Sequence, residues 1–470
     1  MTIPTITLYA GVTPDPNTQN AIDFSDSSIT WTAYQASSLV PDINTTVNQI
    51  NITAAEVASG VIPVDASINT LTFGRGGGNV QNNTASGFSS LLSNTTGDHN
   101  TANGRDSLGS NTTGNDNTSV GYFSLFSNVS GNNNTATGSD SLVSNTNGND
   151  NTAAGQSSLR SNTTGNNNTA NGAAALYFNL NGGGNAAFGK NALFSNIDGN
   201  HNTSVGFLSM QSNTYGSFNV AVGKESLQDN TTGNNNTASG CQSLFSNVSG
   251  SGNTANGFSS LLSNTTGGNN TANGVSSLLS NTTGGNNTAN GVSSLRSNTT
   301  GGNNTANGVG SLRNNTTGSG NASISPMTSG GAYSPVFDPT TENNRMCLGS
   351  TAVTNAYVQV AWTVVSDERD KTNFNEIAHG LDFVNALNPI SYQFRVNRES
   401  AETNGGVKFG FRAQDILALE GDSPVIVDNE DPEKLRMIDT ALIPVLVKAM
   451  QELTAKVEAQ QIEINLLKSK

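Results

Sequence analysis

Apolar residues keep a strict beat through the middle of this chain. Between residues 79 and 318 an apolar side chain recurs every 17 residues, at Leu91, Leu108, Leu125, Leu142, Leu159, Leu176, Leu193, Met210, Leu227, Leu244, Leu261, Leu278, Leu295 and Leu312. Glycine keeps phase with it in two series, Gly97 to Gly318 and Gly104 to Gly308, with Gly87 one period before the second. The consensus is close to G-N-N-N-T-A-x-G-x-x-S-L-x-S-N-T-T. A disordered segment does not hold an apolar residue and two glycines in fixed phase for fourteen periods. The stretch therefore predicts a solenoid or β-roll, one period to a turn. Each turn is expected to hold two strand-like pieces, N-T-A-x and x-S-L-x, with glycine and asparagine taking positive φ at the corners. The leucines and the small Ala102, Ser119 and Ala136 would point inward. Asn and Thr would stack in side-chain ladders, which explains the many Asn-x-Thr sequons without glycosylation. All twelve prolines lie at or before Pro63 or at or after Pro326, leaving every backbone N–H of the repeats for the ladder. At roughly 4.8 Å per stacked strand, fourteen turns make a shaft on the order of 65–70 Å. One leucine per turn is a thin core for a single chain. Three chains sharing an axis would pool these positions, so a homotrimer is expected.

Other rhythms flank the repeats. Residues 1–31 are rich in Thr and Ile and read as short strands and loops around Thr13-Pro14-Asp15-Pro16. Within 32–59, Val40, Ile43, Val47, Ile50, Ala54 and Val57 alternate spacings of 3 and 4, the seam of a coiled-coil helix. Residues 60–78 end in Gly74-Arg75-Gly76-Gly77-Gly78 and predict a flexible linker. Residues 319–365 form a bridge, with a strand expected over 356–365 from its alternating, β-branched sequence. The pattern in 366–470 is α+β. A helix is expected at 380–387, a strand at 390–394, and a long helix from about 438. Leu446, Met450, Leu453, Val457, Gln460, Ile464 and Leu467 give that helix a second coiled-coil seam with one polar layer. The early Pro444 puts its start nearby.

Composition narrows the function. Only 11% of the residues are charged and 34% are hydrophobic, with 51 glycines, too few apolar groups for an ordinary packed core throughout. More than half of the Asp, Glu, Lys and Arg lie in 366–470. A net charge of −14 disfavours nucleic acid as a partner. Cys241 and Cys347 lack metal-type spacing and predict two free thiols. No cofactor or metal is implied. The start of the chain has no signal-peptide pattern, and no apolar run reaches the roughly 20 residues of a membrane span.

The candidate chemistry lies at the junction of the shaft and the charged segment, in Ser366-Asp367-Glu368-Arg369-Asp370-Lys371. A serine becomes a nucleophile when a base takes its proton, and a desolvated lysine can be that base. The spacing alone is a weak signal; a solvated turn would look the same. The residues downstream add weight. Gly380-Leu381-Asp382-Phe383, Asn388-Pro389-Ile390-Ser391-Tyr392, Gly410-Phe411-Arg412-Ala413-Gln414-Asp415-Ile416 and Leu442-Ile443-Pro444 through Glu452-Leu453 follow in order. Together with the serine motif they resemble the C-terminal intramolecular chaperone and auto-peptidase domain of phage tail fibres, tailspikes and endosialidases, over roughly residues 346–470. The 17-residue repeats more loosely resemble trimeric autotransporter adhesin heads and phage fibre shafts.

The resemblance implies a mainly β protein: an elongated trimeric β-solenoid shaft with a C-terminal α+β chaperone domain ending in a coiled coil. It implies that residues 1–31 attach to other tail proteins, that 79–318 form the shaft and that 319–365 form its tip. Residues 366–470 would chaperone trimerisation and then be cut away before Ser366, at the Val365–Ser366 bond. Ser366 maps onto the family's nucleophile and Lys371 onto its base, while Arg369 is expected to be structural or orienting rather than catalytic. Asp370 stands where the family is often apolar, and a carboxylate there would favour charged Lys371. The implied protein is a virion component, assembled in the host cytoplasm, that binds a glycan or protein receptor on the host cell surface. It inserts in no membrane. A glycan-depolymerising tailspike would need paired carboxylates, and the repeats offer scattered ones such as Asp98, Asp116 and Asp150. A cellular trimeric adhesin would need a secretion signal and a membrane barrel.

Overall fold

The computed structural model describes residues 66–68, 71–353, 355–359, 366–396, 398–422 and 424–469. The expected attachment region 1–31, the coiled-coil helix 32–59 and Val365 lie outside these residues. The described chain forms two bodies. The larger holds the repeats and Pro335–Leu348; the smaller holds Thr328–Ser334 and the chain from Gly349 onward.

The repeats fold as a parallel β-solenoid. Strands β3 (Thr84–Gly87) to β17 (Ala322–Ile324) recur once per turn, each in register with the next, so that Thr101 pairs with Thr118 and Ala102 with Ser119. A longer turn then leads to β18 (Met346–Leu348), which pairs with β17. Two further strands, β1 (Ala66–Ile68) and β2 (Leu71–Gly74), add antiparallel pairings at the other end, β2 against β3. The flexible linker expected over 60–78 is therefore corrected in its described part. Gly77 donates its N–H to Leu91 O at 2.9 Å, and the chain closes the first turn rather than hinging beside it.

Each turn contains one strand, not the two expected. The x-S-L-x piece is a turn because its leucine takes φ between 48° and 54°, as does Met210 in its place. This left-handed conformation costs an L-residue roughly 1–2 kcal/mol. It swings the side chain fully inside, and complete burial of a leucine contributes about 1.5–3 kcal/mol. Burial wins. These leucines are 0–2% exposed and pack with the alanines of the strands in one continuous core. The reasoning from a thin core is corrected too: one chain already buries its leucines completely, so pooling them on a shared axis is unnecessary. Leu193→Ala is expected to cost about 2–5 kcal/mol. The loss would be confined mainly to neighbouring turns, as local hydrogen exchange would show.

Two asparagine ladders complete the interior. In one, Asn111 Nδ2 donates to Asn94 Oδ1 at 2.9 Å and to Gly114 O at 3.0 Å. In the other, Asn117 Nδ2 donates to Asn100 Oδ1 at 3.1 Å and to Gly131 O at 2.9 Å. These amides are buried but bonded, the condition that makes an interior polar group tolerable. The two glycine series have different causes. Gly206 has φ 136°, whereas Gly199 is required by close approach: a Cβ there would lie 2.4 Å from both Gly216 O and Asn196 Oδ1.

The strand expected over 356–365 is absent from its described part. Residues 356–359 form no strand, and Tyr357 is 93% exposed, with no neighbouring strand to receive it among the described residues. The smaller body contains α1 (Leu381–Ala386), a hairpin of β19 (Ile390–Arg395) and β20 (Thr403–Gly410), α2 (Ala413–Glu420), a short hairpin of β21 (Val427–Asp428) and β22 (Arg436–Met437), and α3 (Leu442–Lys468). Phe383, Ile416, Ile426, Val427, Leu442 and Val445 form its core. The Glu420 carboxylate ties α2 to the strand that follows by accepting the N–H groups of Val425, Ile426 and Val427 at 2.7–3.0 Å. On α3 the seam residues Leu446, Met450, Leu453, Val457, Ile464 and Leu467 remain exposed in the single chain.

Candidate active site

The turn between Ser366 and Lys371 has a local cause. Glu368–Asp370 form one turn of 3-10 helix, and Asp367, in extended backbone just before it, is the N-cap. Its Oδ1 accepts the Arg369 N–H at 2.9 Å, satisfying a donor that the short helix leaves free. The same carboxylate accepts the Arg369 guanidinium, from Nε at 3.0 and 3.2 Å and from Nη2 at 2.6 Å, the forked geometry that distinguishes arginine from lysine. Asp370 N–H to Asp367 O at 3.2 Å and Lys371 N–H to Glu368 O at 3.1 Å close the turn.

The turn folds Lys371 back over the start of the segment. Lys371 Nζ donates to Ser366 Oγ at 2.6 Å and to Ser366 O at 3.3 Å. The structure therefore brings together the two residues expected from the sequence to act as nucleophile and base. Both are exposed. Lys371 turns toward Ser366, and no ion pair joins it to Asp370 among the described residues. Chemically, a lysine free of its proton in this position can accept the serine's hydroxyl hydrogen.

Arg369 binds Asp367 rather than either of the two, which places it on the turn's scaffold. Its guanidinium, and then its backbone N–H, hold the Asp367 carboxyl below the usual carboxylate range, and Asp367 raises Arg369 in return. Because the folded pKa is depressed, the clasp contributes stability above the unfolded value, and this is lost as pH falls through the lower folded value. An NMR titration of the Asp367 carboxyl is expected to show a midpoint below ~3.9. A midpoint at or above that value would mean that no clasp forms.

The segment after the pair is held from far along the chain. Glu452 Oε2, on α3, accepts the Leu381 N–H at 2.7 Å across a separation of 71 residues. Lys448 donates to Ile377 O and lies 3.8 Å from Glu452. A Cβ on Gly380 would come within 2.3–2.6 Å of that carboxylate, so the glycine admits the helix's acid. Sequence reasoning singled out these motifs but not their contacts. Local spacing carries no trace of a partner 71 residues away. The Asp367 cap was readable, since an aspartate before a short polar turn is a known helix-start signal. Among the described residues, no group of three or more His, Cys, Asp or Glu side chains could hold a metal ion, and no helix is long and apolar enough to cross a membrane.

The fold and this pair together define a class: a repetitive β-solenoid joined to a small C-terminal domain that carries a Ser–Lys contact. Residues 366–422 match the family model described as the chaperone of endosialidase, and the match opens on Ser366. The solenoid lies outside it. A β-solenoid shaft followed by such a domain fits a tail fibre or tailspike with a C-terminal chaperone. A comparison with curated proteins finds no match.

Proposed function

We propose that this protein is a homotrimeric phage tail fibre whose C-terminal domain guides assembly and then cuts itself off before Ser366. The observation that carries the reading is the 2.6 Å contact between Lys371 Nζ and Ser366 Oγ, at the first residue of the chaperone match. Lys371, as a free amine, takes the hydroxyl proton while Oγ bonds to the Val365 carbonyl carbon. The Val365–Ser366 C–N bond then breaks, and the nitrogen leaves with a proton as a new amino terminus. Water hydrolyses the resulting ester, giving a Val365 carboxylate and restoring the Ser366 hydroxyl. The reaction occurs once per chain, so the protein's lasting role belongs to the shaft.

The ladders supply a reason for a chaperone. Successive turns are nearly alike in sequence, so the outer faces of neighbouring chains displaced by one period would lose little. Something outside the repeats must set the register. The exposed apolar seam of α3 suits a coiled coil that does so, and its removal would leave the assembled shaft kinetically trapped. In this reading the N-terminal region binds other tail proteins and the fibre binds a receptor on the host cell surface. The test is intact mass and sedimentation of the purified protein. Trimers with chains ending at residue 365 and a separate 366–470 fragment support the reading; an uncut monomer contradicts it.

A further inference from the structure

The outside of the shaft is not uniform. Residues 259–318 contain no aromatic side chain. At one corner of the turns between residues 166 and 218, by contrast, the consensus changes in several places at once. Gly183 and Gly184 stand where the turns on either side have Asn166-Asn167 and Asn200-His201. The two missing side chains leave a notch of about 480 Å³ between those neighbours. The outer amide ladder breaks there. Asn149 Nδ2 donates both to Asn166 Oδ1 at 3.2 Å and to Asn147 O at 3.0 Å, whereas Asn166 Nδ2 has no amide beyond it and keeps only the second kind of bond, to Thr164 O at 3.0 Å. The side chains of Asn167 and His201 make no hydrogen bond among the described residues.

The next turn places aromatic rings at the same corner. Tyr215 and Phe218 occupy positions that hold Thr, Ser, Asn, Asp, His or Gly in every other turn of the shaft. Phe218 stacks on His201 with centroids 5.1 Å apart and planes at 19°. Tyr215 is 55% exposed and Phe218 is 59% exposed, so neither adds to the core. Phe218 also takes φ 60°, a conformation in which asparagine is far less strained than a bulky ring. Folding does not explain a phenylalanine here.

We propose that this corner is a carbohydrate-binding subsite on the flank of the shaft. A sugar ring offers a rim of hydroxyls and an apolar C–H face. Amides supply donor and acceptor side by side for the hydroxyls, and an exposed aromatic ring is apolar in its body and suits the C–H face. The notch is the size of a small-ligand site and far smaller than a protein–protein interface. The proposal rests on the reading of the shaft as a surface-binding fibre and names the receptor chemistry.

The full chain is to be tested on an array of bacterial surface polysaccharides beside Gly183→Asn/Gly184→Asn and Phe218→Asn. Each variant restores the residue type of neighbouring turns, and a thermal melt confirms folding. The wild type is expected to retain at least one polysaccharide, and each variant to bind it at least about tenfold more weakly. Failure to retain any polysaccharide, or equal retention by folded variants, overturns the subsite. A cut trimer that retains nothing removes the subsite and keeps the fibre. An uncut monomer that retains polysaccharide removes the fibre reading and keeps the subsite.

Discussion

Ser366→Ala is expected to leave the chain whole, at its full 48.4 kDa, under conditions in which the proposed reaction cuts the wild type to completion. In the proposed reaction alanine removes the attacking oxygen, and Lys371 then has no hydroxyl proton to accept. The expected loss in rate is at least about a thousandfold, as for other nucleophile deletions. Lys371→Met keeps the serine and much of the side-chain volume but removes the base, so cleavage should slow by about two to four orders of magnitude. Asp367→Ala should slow it less, because it loosens the turn without removing either reacting group. The order Ser366→Ala, then Lys371→Met, then Asp367→Ala, in increasing residual rate, is read by timed mass spectrometry. Cutting of Ser366→Ala at the same bond would exclude Ser366 as nucleophile. Because Ser366→Ala leaves the fold and the α3 seam untouched, it should still assemble. A trimer that keeps its C-terminal domain would separate chaperoning from cutting.

The second large effect belongs to the shaft. Gly206→Ala is expected to destabilise its part of the solenoid by about 3–5 kcal/mol. The new Cβ would lie 2.4 Å from Gly223 O and 2.6 Å from Gly223 C, with Lys224 N at 3.1 Å. All three are backbone atoms of the next turn, so no rotamer change relieves them. The native φ of 136° is closed to alanine as well. Strand contacts to the turns on both sides would open together. Hydrogen exchange should rise around residues 189–240 and remain slow in distant turns. Thr232→Ala, at an exposed corner, is the control and should change little. Uniform loss of protection along the whole shaft would show that the turns unfold as one unit.

The sequence showed the turn length, the inward leucines and the ladders because each leaves a periodic mark. It did not show that the leucine sits in left-handed backbone. Leucine ordinarily avoids that region, and the preference is overridden only by burial that the folded turn creates. The same gap explains the missing second strand. The reading of glycine as a corner residue held for Gly206 but not for Gly199, whose need is space, a property of the adjacent turn. At the site, Ser366 and Lys371 were visible through the ordered motifs downstream, not through their spacing. The contact of Glu452 with Leu381 depends on how α3 docks, and no local pattern records it.

The ladder also bears on how the protein ages. Asparagine followed by glycine is the peptide sequence most prone to spontaneous deamidation, because an unhindered glycine nitrogen can attack the preceding side-chain amide. Besides Asn147-Gly148 and Asn181-Gly182 at another corner, this shaft repeats that dipeptide at its strand ends, at Asn103-Gly104, Asn171-Gly172, Asn256-Gly257, Asn273-Gly274, Asn290-Gly291 and Asn307-Gly308. In each of these six strand-end pairs the glycine N–H is donated at 2.7–2.8 Å to a carbonyl of the preceding turn. A nitrogen held in that bond is not free to cyclise. The hydrogen bonds that stack the turns thus also act as a chemical preservative, and a folded shaft should outlast its own unfolded chain in months of storage.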